Sequence, residues 1–267
     1  MKPATTVTKV CRVLGEFRTR SSLGVSDLAR RTDLLPSDVH RILASLQTCG
    51  YVEQDVRTRT YRPGVGLLKL GLTTVQRTEV REAGTPLLKR LADELDATTH
   101  MAMFDSRELE VFLVEQIDCP GQVVIKSRLG LPVAPHCSAL GKTIMAWLTP
   151  ELRSSAVKKS GLPRNTENTI TDLAALEREL MRIRDQGYAL DREESVLGAC
   201  CIAAPVYDRL GAPIASISAS MAAGRFYGWS QRHLASLLES TAADLSAMLG
   251  YRNTTQPVLS SGPYCEV

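Results

Sequence analysis

The sequence predicts a two-part α+β protein: a small unit of three helices and one hairpin, then a larger unit built on a largely antiparallel sheet. Three observations predict it. Apolar residues recur at helical spacing through the first fifty positions, then give way to two short strand-like runs around a polar loop. Beyond residue 95, strand-like runs cluster with helical stretches between and after them, as in an α+β domain. Charge is divided too. Residues 1–66 hold 11 Lys and Arg against 6 Asp and Glu, a net +5, and the rest hold 21 against 23, a net −2. An asymmetry of this kind suggests a basic module attached to a near-neutral one, with chance clustering of charge as the alternative.

Composition narrows the class further. A chain of 267 residues, 44% hydrophobic and 23% charged, reads as globular and has room for two ordinary domains. Its seven cysteines stand at 11, 49, 119, 137, 200, 201 and 265 with no CxxC pair, so neither a disulfide framework nor a zinc ribbon is expected. The opening "MKPATTVTKVC" has no apolar core of a signal peptide, and no run approaches the length of a membrane span. A cytoplasmic protein with reduced thiols is expected, with no cofactor.

Taken in order, Val7, Val10, Val13, Leu14 and Phe17 mark one face of a first helix. "SSLGVSDLARRTD" opens a second, with Ser26 as the expected N-cap, Leu28 and Ala29 inward, and Arg30 and Arg31 outward. After a turn through Asp33 and Leu34, Pro36 suits the first turn of a third helix, where a missing N–H costs nothing. Val39, Ile42, Leu43 and Leu46 give that helix its buried stripe, and Gly50 sits where a helix-ending glycine belongs. "YVEQ" and "TYRP" read as strands around the loop "DVRTR". Together these elements make a winged helix-turn-helix.

The pattern assigns roles. The buried stripe of the third helix leaves Ser37, Asp38, His40, Arg41 and Ser45 on its other side, where a helix lying in a major groove meets DNA. Arg41 could pair with guanine through two hydrogen bonds, and Ser37 and His40 could meet bases or phosphates. Arg57, Arg59 and Arg62 on the wing would grip the backbone or a minor groove. Ser26 joins this set as a backbone contact at the start of the second helix.

A nearly continuous helical stretch, "GLLKLGLTTVQRTEVREAGTPLLKRLADELD", follows. Leu67, Leu68, Leu70, Leu72 and Val75 are too apolar for a lone exposed linker and need a partner, the domain's own core or a second subunit. Residues 67–80 are read as the linker helix, 1–66 and 81–250 as the domains it joins. "THMAMFD", "ELEVFLVEQID" and "QVVIKSRLG" read as strands. "SALGKTIMAWL" and "TDLAALERELMRIRDQG" read as helices, the latter capped by Thr171 and closed by Gly187. "YALD", "CCIAAPVYD" and "PIASISAS" are strands around an Arg209–Leu210–Gly211 turn, and "SQRHLASLLESTAADLSAML" is a last amphipathic helix. Residues 251–267 are expected to be a disordered tail.

The blocks "LARRTDLLPSDVHRILASLQTCGYVEQD", "YRPGVGLLKLG", "LPVAPHCSALGKTIMAWL", "ITDLAALERELMRIRDQGYALDREE" and "GACCIAAPVYD" resemble, in order and spacing, the successive motifs of IclR-type bacterial transcriptional regulators. The resemblance runs from about residue 5 to 250. It implies a winged helix-turn-helix, a linker helix and a GAF-like effector-binding domain. It also implies a homodimer or pair of dimers on palindromic operator DNA, with affinity altered by a small organic acid. One stretch departs from the pattern. Where the family usually reads Leu-Pro-Lys-Ser-Thr-Val-His-Arg, this chain has Leu34-Leu35-Pro36-Ser37-Asp38-Val39-His40-Arg41, replacing a lysine by proline and a hydroxyl by a carboxylate. A carboxylate is unfavourable beside phosphates unless it accepts from a cytosine amine.

Family members that sense small carboxylates hold them with an Asp, a Cys and two Ser, and the resemblance carries these roles to Asp191, Cys201, Ser218 and Ser220. The two serines, two apart on a strand, share a face. Backbone N–H groups at Ala139 and Leu140, opening the "SALGK" helix, would receive the carboxylate. Asp191 would repel it but could take a hydroxyl or a hydrated aldehyde, and the resemblance implies larger aromatic acids equally well as a ligand class.

An alternative is a cysteine-dependent enzyme or sensor, with Cys200 or Cys201, His100 or His136, and Asp191 as a nucleophilic set. No local signature supports that set. "ALGKT" imitates the end of a phosphate loop, but His136 stands where the first glycine is needed. His136 and Cys137 lack the further spaced ligands a metal site requires, so a core role is expected for them.

Overall fold

The computed structural model describes residues 5–76, 79–119 and 128–252, and the chain divides into two compact units, Met1–Thr78 and Glu79–Val267. The first unit is a winged helix-turn-helix. Helix α1 (Thr5–Gly15) runs into one 3-10 turn, Glu16–Arg18, and is followed by α2 (Val25–Thr32), α3 (Pro36–Thr48), the hairpin β1 (Val52–Gln54) and β2 (Tyr61–Pro63), and α4 (Val65–Gln76). Val13, Phe17, Leu28, Val39, Leu43, Leu46, Val52 and Tyr61 share one core. Val7 is exposed, so the stripe expected on α1 begins only at Val10, and Phe17 completes it from the 3-10 turn.

Helix α2 corrects one expectation. Its N-cap is Gly24, in extended conformation, and Ser26 is its exposed second residue. Val25 packs against the core and draws the start of the helix ahead of the serine. Elsewhere the local rules hold. Asp33 takes a left-handed φ of 53° to end α2, and extended Leu35 precedes Pro36 at the first position of α3. Past α3, Gly50 adopts φ 72°, which lets the Tyr51 N–H donate back to the Leu46 carbonyl at 2.8 Å and stops the helix on the wing's first strand.

On α4, Leu68 and Leu70 are 59% and 53% exposed. The side chains of Leu72 and Val75 lie outside the described residues. Residues 77–78, between α4 and the next helix, also lie outside them, as do 122–127 of the expected third strand and 253–267 of the expected tail.

The second unit is a six-stranded antiparallel sheet between two helical layers. Its elements in order are α5 (Glu79–Leu95), β3 (Thr98–Asp105), β4 (Glu110–Ile117), β5 (Pro132–Val133), α6 (Ala139–Trp147), α7 (Pro150–Ser160), α8 (Leu173–Gln186), β6 (Ala189–Arg192), β7 (Ala199–Tyr207), β8 (Pro213–Ala222), α9 (Ala223–Phe226) and α10 (Gln231–Met248). Strand order is β5-β4-β3-β8-β7-β6, so two three-stranded meanders meet where β3 pairs with β8.

Alternation along β7 shows how the layers are assigned. Cys200, Ile202, Ala204 and Val206 join Leu88, Leu91 and Leu95 of α5 and Leu234, Leu238 and Leu245 of α10 on one face. Cys201 and Ala203 join Leu140 and Ile144 of α6 and Leu176, Leu180 and Ile183 of α8 on the other. Helix α8 is capped by Asp172, whose side chain accepts from the Ala175 N–H at 2.8 Å, and not by the neighbouring Thr171. Helix α7 goes unanticipated from sequence, although Thr149 before Pro150 is the cap-and-proline signal that marks it.

Candidate functional site

In the first unit, Ser37, His40, Arg41 and Ser45 project from α3 into solvent, and the Arg41 side chain is 80% exposed. Asp38 is drawn inward. Its carboxylate accepts from Lys9 of α1 at 2.7 Å and from Arg41 at 3.1 Å, and the Lys9 bond holds it below the ordinary carboxylate range. The group that the sequence leaves to meet cytosine or clash with phosphate is thus neutralised within the protein, where it also holds one terminal nitrogen of the Arg41 guanidinium. On the wing, Asp55 accepts from the backbone N–H groups of Arg57 at 2.8 Å and Thr58 at 3.0 Å, and Arg59 adopts a left-handed φ of 60°. That turn presents Arg57 and Arg59 to solvent, while Arg62 pairs with Glu53 directly across the hairpin at 3.1 Å.

In the second unit the sheet face under α6 and α8 carries a cavity of about 280 Å³. The register builds it. Thr98, Ser220, Cys201 and Asp191 are successive Cα partners across β3, β8, β7 and β6, and His100 and Ser218 pair in the next row. Every expected effector residue lines this one space: Ala139, Leu140, Asp191, Cys201, Ser218 and Ser220. Ser138 caps α6, accepting from the Gly141 N–H at 3.0 Å, so the N–H groups of Ala139 and Leu140 fall in the first turn, where a helix has no acceptor for them. Gly141 lets that turn sit close: a Cβ there would lie 2.5 Å from the Ala134 carbonyl oxygen.

The floor is a buried polar network. Asp191, 2% exposed, accepts from the backbone N–H groups of Glu194 at 2.7 Å and Ser195 at 3.2 Å. Burial nonetheless raises its pKa. Lys142, fully buried, pairs with Glu194 at 2.5 Å and Glu179 at 3.4 Å. The lysine of the "ALGKT" stretch therefore anchors the loop that carries Glu194 and Ser195 rather than a phosphate. Cys201 is a thiol, its pKa pushed well above the usual value by burial, with Asp191 adding to the shift. It accepts a hydrogen bond from Ser220 Oγ at 3.1 Å. His100, 3% exposed, has Nδ1 3.4 Å from Ser220 Oγ and, among the described residues, no hydrogen-bond partner at Nε2, and burial lowers its pKa to about 4. A protonated cysteine with no base bonded to its sulfur is not an activated nucleophile. His136 Nε2 donates to the Pro163 carbonyl at 2.9 Å and is buried, as a core residue would be. Among the described residues no cluster of three or more His, Cys, Asp or Glu side chains is arranged to hold a metal.

Comparison with known proteins settles the family. The description "Bacterial transcriptional regulator IclR C-terminal" matches residues 72–247, well over half of the chain, and the "IclR helix-turn-helix domain" matches residues 6–56. The chain belongs to the IclR family of bacterial transcriptional regulators. Among its relatives, the HTH-type transcriptional repressor AllR of Salmonella typhi is 33% identical over 235 residues, covering 88% of this chain and 86% of that one. The HTH-type transcriptional regulator KdgR of Escherichia coli K12 is 30% identical over 244 residues, covering 91% of each. An IclR homolog from Microbacterium hydrocarbonoxydans, solved in complex with 4-hydroxybenzoate, superposes with a TM-score of 0.78 at 26% identity, covering 92% of this chain and 99% of that one. As an IclR-family member the chain is a DNA-binding transcriptional regulator with a separate α+β domain.

The structure adds to the IclR cavity residues that the sequence reading did not place there. Arg128, Ser138, Asn165 and Ser195 line it, and His100 enters it from β3. Strand alternation was the available signal for His100, since His100, Ala102 and Phe104 alternate in "THMAMFD". For Asn165 and Ser195, which lie in irregular segments, no periodic signal exists.

Proposed function

We propose that this IclR-family regulator is a repressor that binds a palindromic operator as a homodimer or pair of dimers and changes its DNA affinity when a small organic acid enters the cavity of its second unit. The observation that carries the reading is the convergence of six expected residues, together with Arg128 and the open first turn of α6, on one half-open cavity whose lining mixes apolar and polar side chains. A space of about 280 Å³ suits a metabolite smaller than a drug. The cation of Arg128 and the N–H groups of Ala139 and Leu140 suit its carboxylate. A relative named as a repressor and a homolog holding 4-hydroxybenzoate support the same assignment.

On the DNA side, α3 lies in the major groove with Ser37, His40 and Arg41 toward the bases, while Arg57, Arg59, Arg62 and Ser26 meet the backbone. Asp38 orients Arg41 and touches no phosphate. The exposed leucines of α4 give a second copy a surface to cover, which places two recognition helices on one operator. The protein works in the cytoplasm, where its DNA is, and no described helix is long and apolar enough to cross a membrane. It performs no catalysis, in keeping with the raised pKa values of the buried Cys137, Cys200 and Cys201. A mobility-shift assay on DNA upstream of its own gene, titrated with salt and with small organic acids, tests this. Tight, salt-sensitive binding that an acid alters is expected, and binding that no acid in the panel alters would remove the effector assignment.

A further inference from the structure

Asp38 stands where this chain departs from the usual recognition-helix pattern, and both of its oxygens are engaged. Oδ2 accepts from Lys9 Nζ of α1 at 2.7 Å, and Oδ1 accepts from Arg41 Nη2 at 3.1 Å. The anchor therefore comes from a second helix. Asp38 is half-buried between α1 and α3, while Arg41 reaches past it into solvent. An exposed ion pair one turn apart on a helix adds little to stability. Its consequence lies in where the guanidinium is held.

A guanidinium has five N–H groups in a fixed plane, and Asp38 takes one of the two on Nη2. Whichever of those two hydrogens it takes, one edge of paired donors stays intact: Nη1 with Nη2, or Nε with Nη2. In the major groove guanine presents two adjacent acceptors, O6 and N7. Adenine sets a donor beside its acceptor, thymine a methyl beside its acceptor, and cytosine a donor. Two parallel donors held at a base edge are thus fully met by guanine. An untethered arginine is free to turn to a phosphate or to offer one N–H to another base. Lys9 offsets the charge of the tether, so that the carboxylate brings no net repulsion to the backbone.

We infer that Asp38 is a specificity-determining residue: by tethering Arg41 it makes this regulator demand a guanine at one position of each operator half-site. The inference rests on the placement of α3 in the major groove, and it deepens that reading by naming the base read and the residue that enforces the choice. Asp38 acts through Arg41 and is a positioning residue.

Selection from a randomised duplex pool by the full-length protein, then titration of the selected site and its single-base variants, tests it. Guanine at the Arg41 position is expected to be preferred by roughly tenfold or more, and Asp38→Ala to reduce that preference to less than about threefold. Asp38 lies outside the core of its unit, so the variant should fold. In an Arg41→Ala background the same change should have no further effect at that position. Lys9→Met removes the bond between the helices but leaves Asp38 with Arg41, and should weaken binding to all sequences alike while keeping the preference. Three outcomes would overturn the role of Asp38 and leave the groove placement standing. They are a preference intact in Asp38→Ala, a preference relaxed at a different position from that of Arg41→Ala, and a preference lost in a folded Lys9→Met. If Arg41→Ala changes no base preference, or the wild type enriches no sequence, the groove placement falls and this inference with it.

Discussion

The two units of this regulator place their polar chemistry on opposite terms with water. In the helix-turn-helix unit, the groups assigned to DNA stand in solvent above a separate apolar core: Arg41 is 80% exposed, and Arg57 and Arg59 project from the wing. In the α+β unit the groups assigned to the effector are inside. Asp191, His100, Cys201, Ser218 and Ser220 are buried between a sheet and two helices. An exposed charge is solvated before binding and is cheap to keep, so the first unit separates stability from recognition. A buried polar group is stable only through its partners, so in the second unit recognition and stability share the same atoms.

Lys142→Ala should break this comparison open most widely. It leaves Glu194 and Glu179 beside Asp191 without their buried cation and should cost about 3–5 kcal/mol, measured by urea denaturation. A loss under about 1 kcal/mol would mean that the network is more hydrated than its burial implies.

Next is a pH effect from His100. Its pKa falls from 6.5 in the unfolded chain to about 4 in the fold, so between those values the unfolded state binds the extra proton. Stability is therefore lost as pH falls from 6.5 towards 4, by about 3 kcal/mol from this residue. Asp191 and Glu194, whose pKa values are raised by burial, act in the opposite sense as they protonate. Subtracting the stability profile of His100→Gln from that of the wild type isolates the histidine, and a flat difference between pH 4 and 6.5 would count against its burial as a neutral ring.

Gly141→Ala forces a Cβ against the Ala134 carbonyl and Pro135, and should cost about 1–3 kcal/mol while weakening effector binding, read by thermal melting with and without 4-hydroxybenzoate. The smallest stability change is expected on the other side of the comparison. Arg41→Ala should leave the melting temperature almost unmoved and still lower operator affinity by roughly tenfold or more, and Arg57→Ala should reduce the salt slope of binding by about one. A substantial loss of stability in Arg41→Ala would erase the distinction between the two units.

Much of this was legible in the sequence where periodicity is local. The stripe Val39, Ile42, Leu43 and Leu46 marks α3 and its exposed face without further information, and Pro36 and Gly50 mark its ends. Ser218 and Ser220 share a face because strand residues two apart always do. The errors were local too, but set by packing. Val25 joins the core and moves the cap of α2 from Ser26 to Gly24, and Asp172 outcompetes the adjacent Thr171.

What the sequence determined by itself was the order of elements, the charge division between the units and the faces their side chains share, because helix and strand periods and the sign of a side chain act over a few residues. Tertiary structure alone decided that Lys9 would neutralise Asp38, that Lys142 would sit between Glu179 and Glu194, and that His100 would enter a cavity with one nitrogen satisfied and one not. Each of these pairs atoms from segments far apart in the chain, and whether a polar group finds a partner depends on which segments pack against it.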